Sequence, residues 1–368
     1  MNRREFLTAT AAALATAPMA ARPLAAERRL LYIAQPGIRN YLQYGGIGVL
    51  VYDIDAGHRF VKRIPTWPLK DGQAAENVKG VAASARTGRL YVSTIRRLGC
   101  LDLASERMLW DKELEGGCDR MAISPDGALL YVPSFEGPHW NVVDGLTGNT
   151  LANVVTKSAA HNTVYSLDGT RAYLAGLKSP ILTIADTKTH TVVGGVGPFS
   201  ASVRPFTVNG AQTLCYVNVN ELLGFEIGDI RTGRMLHRVE VQGYARGPVA
   251  RHGCPSHGIG LTPDETELWV SDGHNSLMHV FDNTVMPPRQ LTSLKVRDQP
   301  GWITFSIDGR FAYPSTGEVF DTRSKKLILA LDDETGRQIG SEKLLEIVMD
   351  GTKAIRNGDQ FGLGMKRG

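Results

Sequence analysis

Six segments of the chain share one arrangement of hydrophobic and polar positions. Each has a short apolar run, a turn containing Gly or Asp, and a second apolar run that carries an aromatic residue. The segments are Val81–Val92, Met121–Val132, Thr163–Leu174, Phe206–Val217, Ile259–Val270 and Ile303–Pro314. Two apolar runs joined by a turn whose Gly or Asp permits a positive φ predict a β-hairpin.

The hairpins recur at a nearly constant interval. Their aromatic residues are Tyr91, Tyr131, Tyr173, Tyr216, Trp269 and Tyr313, with spacings of 40, 42, 43, 53 and 44 residues. Two more strand-like runs follow each aromatic, as in Trp140–Asp144 and the run after Leu146-Thr147-Gly148. Four strands in a unit of this length are typical of a β-propeller blade.

The two ends of the chain predict a seventh blade. Leu30–Ile33, Ile47–Ile54 and Arg59–Pro65 give three strands without an innermost one, while Lys343–Met349 is a strand without a unit of its own. Placing the C-terminal strand in the N-terminal blade closes the ring and protects the sheet edges. The predicted fold is therefore all-β, a single seven-bladed β-propeller of four-stranded antiparallel blades over residues 27–368. Two separate domains are the alternative, but no Pro- or Ser-rich linker interrupts the repeat.

Composition and charge agree with this fold and exclude some functions. The 40 glycines among 368 residues exceed the average share of about 7%, as a fold with many tight turns requires. Hydrophobic residues make up 42% and charged residues 21%, which argues against disorder. The formal net charge of +4 is too small for a general nucleic-acid footprint.

The N-terminus has the features of an export signal. Arg3 and Arg4 precede the mild apolar run Thr8–Ala17, and small residues lead up to Ala26. Residues 1–26 therefore resemble a twin-arginine signal peptide, with an ordinary secretory signal as the alternative. Both predict a periplasmic or secreted protein, and the run is too short to anchor the mature chain in a membrane.

The four cysteines show no metal-finger spacing. They are Cys100, Cys118, Cys215 and Cys254. In an exported chain they could form up to two disulfides, and all three pairings stay open.

Three of the hairpins resemble those of the YVTN-repeat β-propeller family. The matching elements are Ser124-Pro-Asp-Gly with Leu130-Tyr-Val, Thr262-Pro-Asp with Leu268-Trp-Val, and Ser306-Ile-Asp-Gly with Ala312-Tyr-Pro. The resemblance extends from about residue 30 to 368. It implies the fold but no one function, since similar propellers include lactone hydrolases, a lyase, cofactor-binding subunits and plain binding scaffolds.

The register of the repeat predicts the lining of the central channel. Twelve positions before the repeat aromatics, where the innermost strands start, stand Lys79, Asp119, His161, Arg204, His257 and Gly301. The residues that follow these are Gly80, Arg120, Asn162, Pro205, Gly258 and Trp302. Five of the first six are ionisable, so we expect a polar mouth. The candidate ligand-binding residues are Lys79, Asp119, Arg120, Asn162, Arg204 and Trp302.

Histidines are predicted to gather at the same mouth. His161 and His257 belong to the register, His274 lies in a loop on the same face, and His252 and Cys254 lie in the long connection before His257. These five are candidate ligands of a transition metal, and His161 and His257 are candidate catalytic acid–base groups. The alternative is a lining of water and hydrogen-bonded side chains.

Two functions from different classes are compatible with these residues. The favoured one is an exported, monomeric propeller that binds a small anionic ligand or a partner protein at its mouth, because Arg120 and Arg204 suit carboxylate or phosphate. The other is an enzyme, a metal-assisted lactonase or lyase or a redox enzyme, that uses the histidine cluster. No GxSxG, HExxH, Walker or EF-hand motif decides between them.

Overall fold

The computed structural model describes residues 27–366, which form seven antiparallel β-sheets arranged in a ring. Six of the sheets have four strands each, paired in the order in which they occur in the sequence. The seven-bladed propeller predicted from the repeat is therefore confirmed. The proposed export signal, residues 1–26, lies outside the described residues, and its identity stays a prediction.

The blades are numbered in chain order, and blade 1 takes two strands from the C-terminus. Blade 1 contains β1 (Arg28–Gln35), β2 (Gly48–Asp53) and β3 (Arg59–Ile64). Blade 2 contains β4 (Val78–Ser84), β5 (Arg89–Thr94), β6 (Arg97–Asp102) and β7 (Met108–Glu113). Blade 3 contains β8 (Ala122–Ile123), β9 (Leu129–Pro133), β10 (His139–Asp144) and β11 (Thr150–Val155). Blade 4 contains β12 (Ala160–Tyr165), β13 (Arg171–Gly176), β14 (Leu182–Asp186) and β15 (Thr191–Val196).

The remaining strands complete the ring. Blade 5 contains β16 (Val203–Val208), β17 (Leu214–Val219), β18 (Gly224–Asp229) and β19 (Arg234–Glu240). Blade 6 contains β20 (Ile259–Leu261), β21 (Glu267–Asp272), β22 (Leu277–Asp282) and β23 (Arg289–Lys295). Blade 7 contains β24 (Ile303–Phe305), β25 (Phe311–Pro314), β26 (Glu318–Asp321) and β27 (Leu327–Ala330). The C-terminal strands of blade 1 are β28 (Leu344–Asp350) and β29 (Lys353–Asn357).

The repeat aromatics hold neighbouring blades together. All six are almost completely buried. The Tyr91 hydroxyl donates to the Gly145 carbonyl of the next blade over 3.0 Å, and the Tyr173 hydroxyl donates to Gln212 Oε1 over 3.1 Å. An aromatic ring supplies apolar area for the interface, and its hydroxyl finds a partner across it. This double role is a reason for tyrosine at the fixed position, whereas Trp269 has no hydroxyl and its Nε1 donates to Glu267 of its own strand.

The ring closes as the sequence predicts. Strand β28 pairs antiparallel with β1, and Leu345 lies opposite Tyr32. The sequence did not predict β29, which pairs with β28 and gives this sheet five strands in the order β29-β28-β1-β2-β3. One covalent chain thus brings its first and last strands into the same blade.

The segment after β29 crosses the channel at the end away from the strand starts. Gln360 Nε2 donates to the Met121 carbonyl of blade 3 over 3.1 Å. The Gly362 carbonyl accepts from the Leu261 amide at 2.8 Å and from Thr207 Oγ1 at 2.6 Å. The C-terminal segment therefore contacts the inner strands of several blades and forms a floor under the channel.

The other sequence expectations concern cysteines and membranes. All four cysteines are buried free thiols, so none of the disulfides left open by the sequence is present. Within residues 27–366, no helix has the length and hydropathy of a membrane span.

Asp359 makes the floor sensitive to pH. Burial raises the pKa of its carboxyl to about 6, against several backbone hydrogen bonds that lower it. The folded state therefore holds the proton more tightly than the unfolded state. Stability from this group is fully present below pH 3.8 and is lost as the pH rises through about 6.

Replacing Asp359 with Asn is expected to stabilise the protein at pH 7.5. Asparagine stays neutral and keeps an oxygen that can accept from the Phe361 amide. The gain should be about 1–2 kcal/mol, less than the full pKa shift implies because the residue keeps some exposure. Urea unfolding at pH 4.5 and 7.5 measures it. A gain of equal size at both pH values would contradict the assignment.

Candidate functional site

Strand pairing places two more residues in the predicted ring. In blade 6, Gly260 lies opposite the repeat aromatic Trp269, and His257 precedes Gly260 by three positions. In blade 1, Leu345 lies opposite the aromatic residue Tyr32. Glu342 precedes Leu345 by three positions, so Glu342 and the next residue, Lys343, correspond to His257 and Gly258. Neither residue was predicted for the ring, although the predicted strand Lys343–Met349 begins at the second of them.

These starting residues form a ring of seven pairs around one mouth. The first members are Lys79, Asp119, His161, Arg204, His257, Gly301 and Glu342. The second members are Gly80, Arg120, Asn162, Pro205, Gly258, Trp302 and Lys343. A cavity of about 360 Å³ opens at this mouth. The ring residues that line it are Lys79, Arg120, His161, Arg204, His257, Glu342 and Lys343.

The three other predicted ligand-binding residues lie behind this lining. Asp119, Asn162 and Trp302 are all buried and do not line the cavity themselves. Loops add basic residues that the sequence analysis did not select, Arg39 from the segment after β1 and Arg251 from the segment before β20. Arg39 Nη2 donates to the Arg251 carbonyl over 2.8 Å, which joins the two loops.

Lys79, Asp119 and His161 form the first buried network. Asp119 Oδ2 lies 2.7 Å from His161 Nδ1, and Asp119 Oδ1 lies 3.3 Å from Lys79 Nζ. Burial alone would raise the pKa of Asp119, but Lys79 and His161 hold it below its ordinary value. Burial lowers the pKa of His161 more than Asp119 raises it. The network therefore contains an ionised carboxylate and, near neutral pH, an uncharged imidazole.

Glu342 is the centre of the second network. Its Oε2 accepts from Arg120 Nη2 at 2.5 Å and from Lys343 Nζ at 2.9 Å, and its Oε1 lies 3.4 Å from His252 Nδ1. Burial opposes ionisation, yet Lys343, His252 and Arg120 hold the pKa of Glu342 well below its usual range. Burial in turn lowers the pKa of Lys343 to about 7. One carboxylate thus faces two basic side chains.

Trp302 positions Arg120. The Arg120 guanidinium carbon lies 3.6 Å from the centre of the Trp302 ring, a close cation–π contact. Nε and Nη1 of Arg120 are buried and have no hydrogen-bond partner among the described residues. Trp302 therefore acts as a support under the guanidinium rather than as a surface of the cavity.

His257 lies between His252 and the wall of the channel. Its ring stacks on His252 with centres 4.5 Å apart, and its Nδ1 lies 3.0 Å from the Gly301 carbonyl. Burial holds the pKa of His257 well below its ordinary value, with a further contribution from His252. His257 is therefore neutral near pH 7.

Arg204 is the basic ring residue without a counter-charge. It forms no ion pair with any residue between 27 and 366, and its Nε is buried without a partner there. The loop before His257 packs directly on it, since a Cβ at Gly253 would lie only 1.9 Å from Arg204 Nη2. The Arg204 guanidinium is thus held at the cavity beside the Cys254 thiol, and its Nε is left without a partner.

Two of the five candidate metal ligands do not line the cavity. His274 is exposed, with Nδ1 3.2 Å from the Pro248 carbonyl. Cys254 is buried, its thiol donates to the Ser256 carbonyl over 3.0 Å, and burial raises its pKa to about 11. His161, His252 and His257 do line the cavity.

A set of His252, His257 and Glu342 has the composition of an open metal site. Their donor atoms lie within 4.8 Å of one another, and two imidazoles with one carboxylate are a known zinc ligand set. Glu342, however, is already bonded to Arg120 and Lys343. A divalent cation would have to displace both basic groups, so the present geometry does not fit a bound metal.

The lining as a whole is basic. Six of its side chains are Arg or Lys and two are Glu. The basic residues are Arg39, Lys79, Arg120, Arg204, Arg251 and Lys343. Lys79, Arg120, Arg251 and Lys343 face the carboxylates of Asp119, Glu342 and Asp298. The positive charge that can attract a small anion to this concave site therefore comes mainly from Arg204 and Arg39.

Comparison with known proteins found no family model that matches the chain and no significant match among curated proteins. The fold and the side chains of the mouth are therefore the basis for any functional conclusion.

Proposed function

We propose that the mouth of the channel binds a small anion through a carboxylate or phosphate group. The observation that carries the proposal is Arg204, a guanidinium at a 360 Å³ cavity that pairs with no acidic residue in the described part of the chain. A guanidinium offers paired donors in a planar fork that matches a carboxylate or phosphate. Arg120 supplies further unused donors at the same cavity.

Replacing Arg204 with Gln tests this function. The amide keeps polarity and part of the length but removes the charge and the fork. We expect the affinity for inorganic phosphate and for succinate to fall at least tenfold, because a charge-assisted pair is lost. Isothermal titration calorimetry measures the change.

The matched control is Arg289→Gln, because the Arg289 side chain is 73% exposed on the outer strand of blade 6. Its affinity should equal that of the wild type. Wild-type protein that binds none of a panel of small carboxylates and phosphates would refute the proposed function, and so would an Arg204→Gln variant with undiminished affinity.

The alternative function, a metal-assisted lactonase or lyase, would use the cluster of His252, His257 and Glu342, and a metal there would have to displace Arg120 and Lys343 from Glu342. This candidate requires one Zn²⁺ per chain in EDTA-treated protein after titration. Binding should be lost in His257→Ala and kept in His161→Ala, since His161 is not part of the set. Protein that binds no stoichiometric zinc rules this candidate out and leaves anion binding untouched.

We also infer that the chain is an exported, monomeric member of the YVTN-repeat family. The inference is supported by the three matching hairpins and by the twin-arginine-like start of the sequence. Cell fractionation, N-terminal sequencing of the mature protein and its mass in solution test export, cleavage near Ala26 and the monomeric state. A cytoplasmic protein with an intact N-terminus would contradict export.

A further inference from the structure

Two imidazoles at the cavity are fixed as hydrogen-bond acceptors. His161 Nδ1 lies 2.7 Å from the carboxylate of Asp119, which can only accept when ionised, so Nδ1 carries the hydrogen. In the neutral ring, Nε2 then presents a lone pair. This Nε2 is buried and has no partner among the described residues.

His257 has the same arrangement. Its Nδ1 lies 3.0 Å from the Gly301 carbonyl, and a carbonyl oxygen can only accept, so this Nδ1 also carries the hydrogen. Its Nε2 is left as an acceptor. The ring centres of His161 and His257 are 6.2 Å apart, and both residues line the cavity. The pair thus presents two acceptor nitrogens within the span of a small molecule.

The guanidinium groups at the same cavity have the opposite character. Arg204 and Arg120 can only donate, and Nε of each is buried without a partner in the described chain. A simple dicarboxylate such as succinate satisfies these donors but offers no hydrogen to the two imidazole nitrogens. A ligand that satisfies both sets needs anionic oxygens and hydroxyl hydrogens.

We propose that the ligand is a hydroxylated organic anion, such as a hydroxycarboxylate, whose anionic group binds Arg204 and whose hydroxyl groups donate to Nε2 of His161 and His257. This inference rests on the proposed anion-binding function. An analogue without hydroxyls would leave the buried Nε2 of His161 without a partner. Sites built to bond a substrate hydroxyl reject such analogues strongly.

A series of four-carbon dicarboxylates isolates the hydroxyl contribution. Succinate, malate and tartrate carry zero, one and two hydroxyls at constant charge, and threitol carries hydroxyls without charge. Calorimetry on the wild-type protein at pH 7.5 should show affinity rising at least tenfold from succinate to tartrate, with no binding of threitol. Equal affinities across the series would overturn this inference and leave the proposed function standing. Absence of binding by every anion tested would overturn both.

Asp119→Asn provides a direct test of the tautomer. An amide can donate to Nδ1, which allows the hydrogen of His161 to move to Nε2 and converts the acceptor into a donor. We expect the ratio of malate to succinate affinity to fall toward one. Because this change also removes the counter-charge of Lys79, His161→Phe is the second variant, which keeps a ring but has no acceptor. An unchanged ratio in both variants would overturn the role of His161.

Discussion

A chain that ends at Gly340 is expected not to fold. It lacks β28, so β1 loses its inner partner and blade 1 keeps only its three outer strands, with the inner edge of β1 unpaired. Leu344, Leu345, Ile347 and Val348 are at most 3% exposed in the intact protein. Each buried side chain of this kind contributes about 1.5–3 kcal/mol, and four together rival the total stability of a typical domain. Circular dichroism and limited proteolysis should show an unfolded, rapidly digested chain.

The matched control is a chain that ends at Asn357. It keeps β28 and β29 but lacks the segment that crosses the channel. We expect this chain to fold and to melt cooperatively at a lower temperature than the full-length protein, because hydrogen bonds such as that from Gln360 to Met121 are lost. A chain ending at Gly340 that melts as cooperatively as the full-length protein would show that β28 is dispensable.

Replacing Glu342 with Gln is expected to have the largest effect of any single substitution in the mouth. Arg120 and Lys343 are each 2% exposed and share this carboxylate. Removing one partner of a buried ion pair leaves uncompensated charge and typically costs about 3–5 kcal/mol. Arg120 stays charged without Glu342, but Lys343, whose pKa burial already lowers to about 7, can lose its proton, so we expect a loss in the lower part of this range. Urea unfolding of the wild type and the variant measures the change.

Glu334→Gln is the control for this substitution. Glu334 forms an ion pair with Arg63 at 2.8 Å, but its side chain is 39% exposed. Solvent screens such a pair, and its loss should cost less than about 1 kcal/mol. If Glu342→Gln lowers the free energy of unfolding by as little as Glu334→Gln does, the Glu342 network does not stabilise the fold.

The fold could be predicted because its determinants are local and repeated. Each hairpin carries its own alternation, its own turn and its own aromatic, so six instances support one register. Closure of the ring could be predicted from the number of strands in each unit. The N-terminal unit that starts with Leu30–Ile33 has no inner strand, and Lys343–Met349 is a strand without a unit of its own. Strand β29 and the floor had no repeated counterpart and could not be found in this way.

The same register located six of the seven pairs at the mouth. Glu342 and Lys343 could not be located in this way. The aromatic residue paired with their strand is Tyr32, at the other end of the chain, so counting back twelve positions from that aromatic does not reach them. Arg39 and Arg251 lie in irregular loops without periodicity. Sequence could place His274 on the correct face of the propeller, but a side chain in a turn can point outward, as this one does.

The C-terminal segment lies across the channel below the mouth, bonded to the inner strands of blades 3, 5 and 6. A ligand bound at the mouth, as we propose, would have the C-terminal segment below it and would leave through the mouth. The dissociation rate then depends on what covers that opening, and Arg39 already reaches across it to the loop that carries Arg251. A molecule that binds the loops of Arg39 and Arg251 would therefore slow the dissociation of a ligand from the mouth, although it would not contact that ligand.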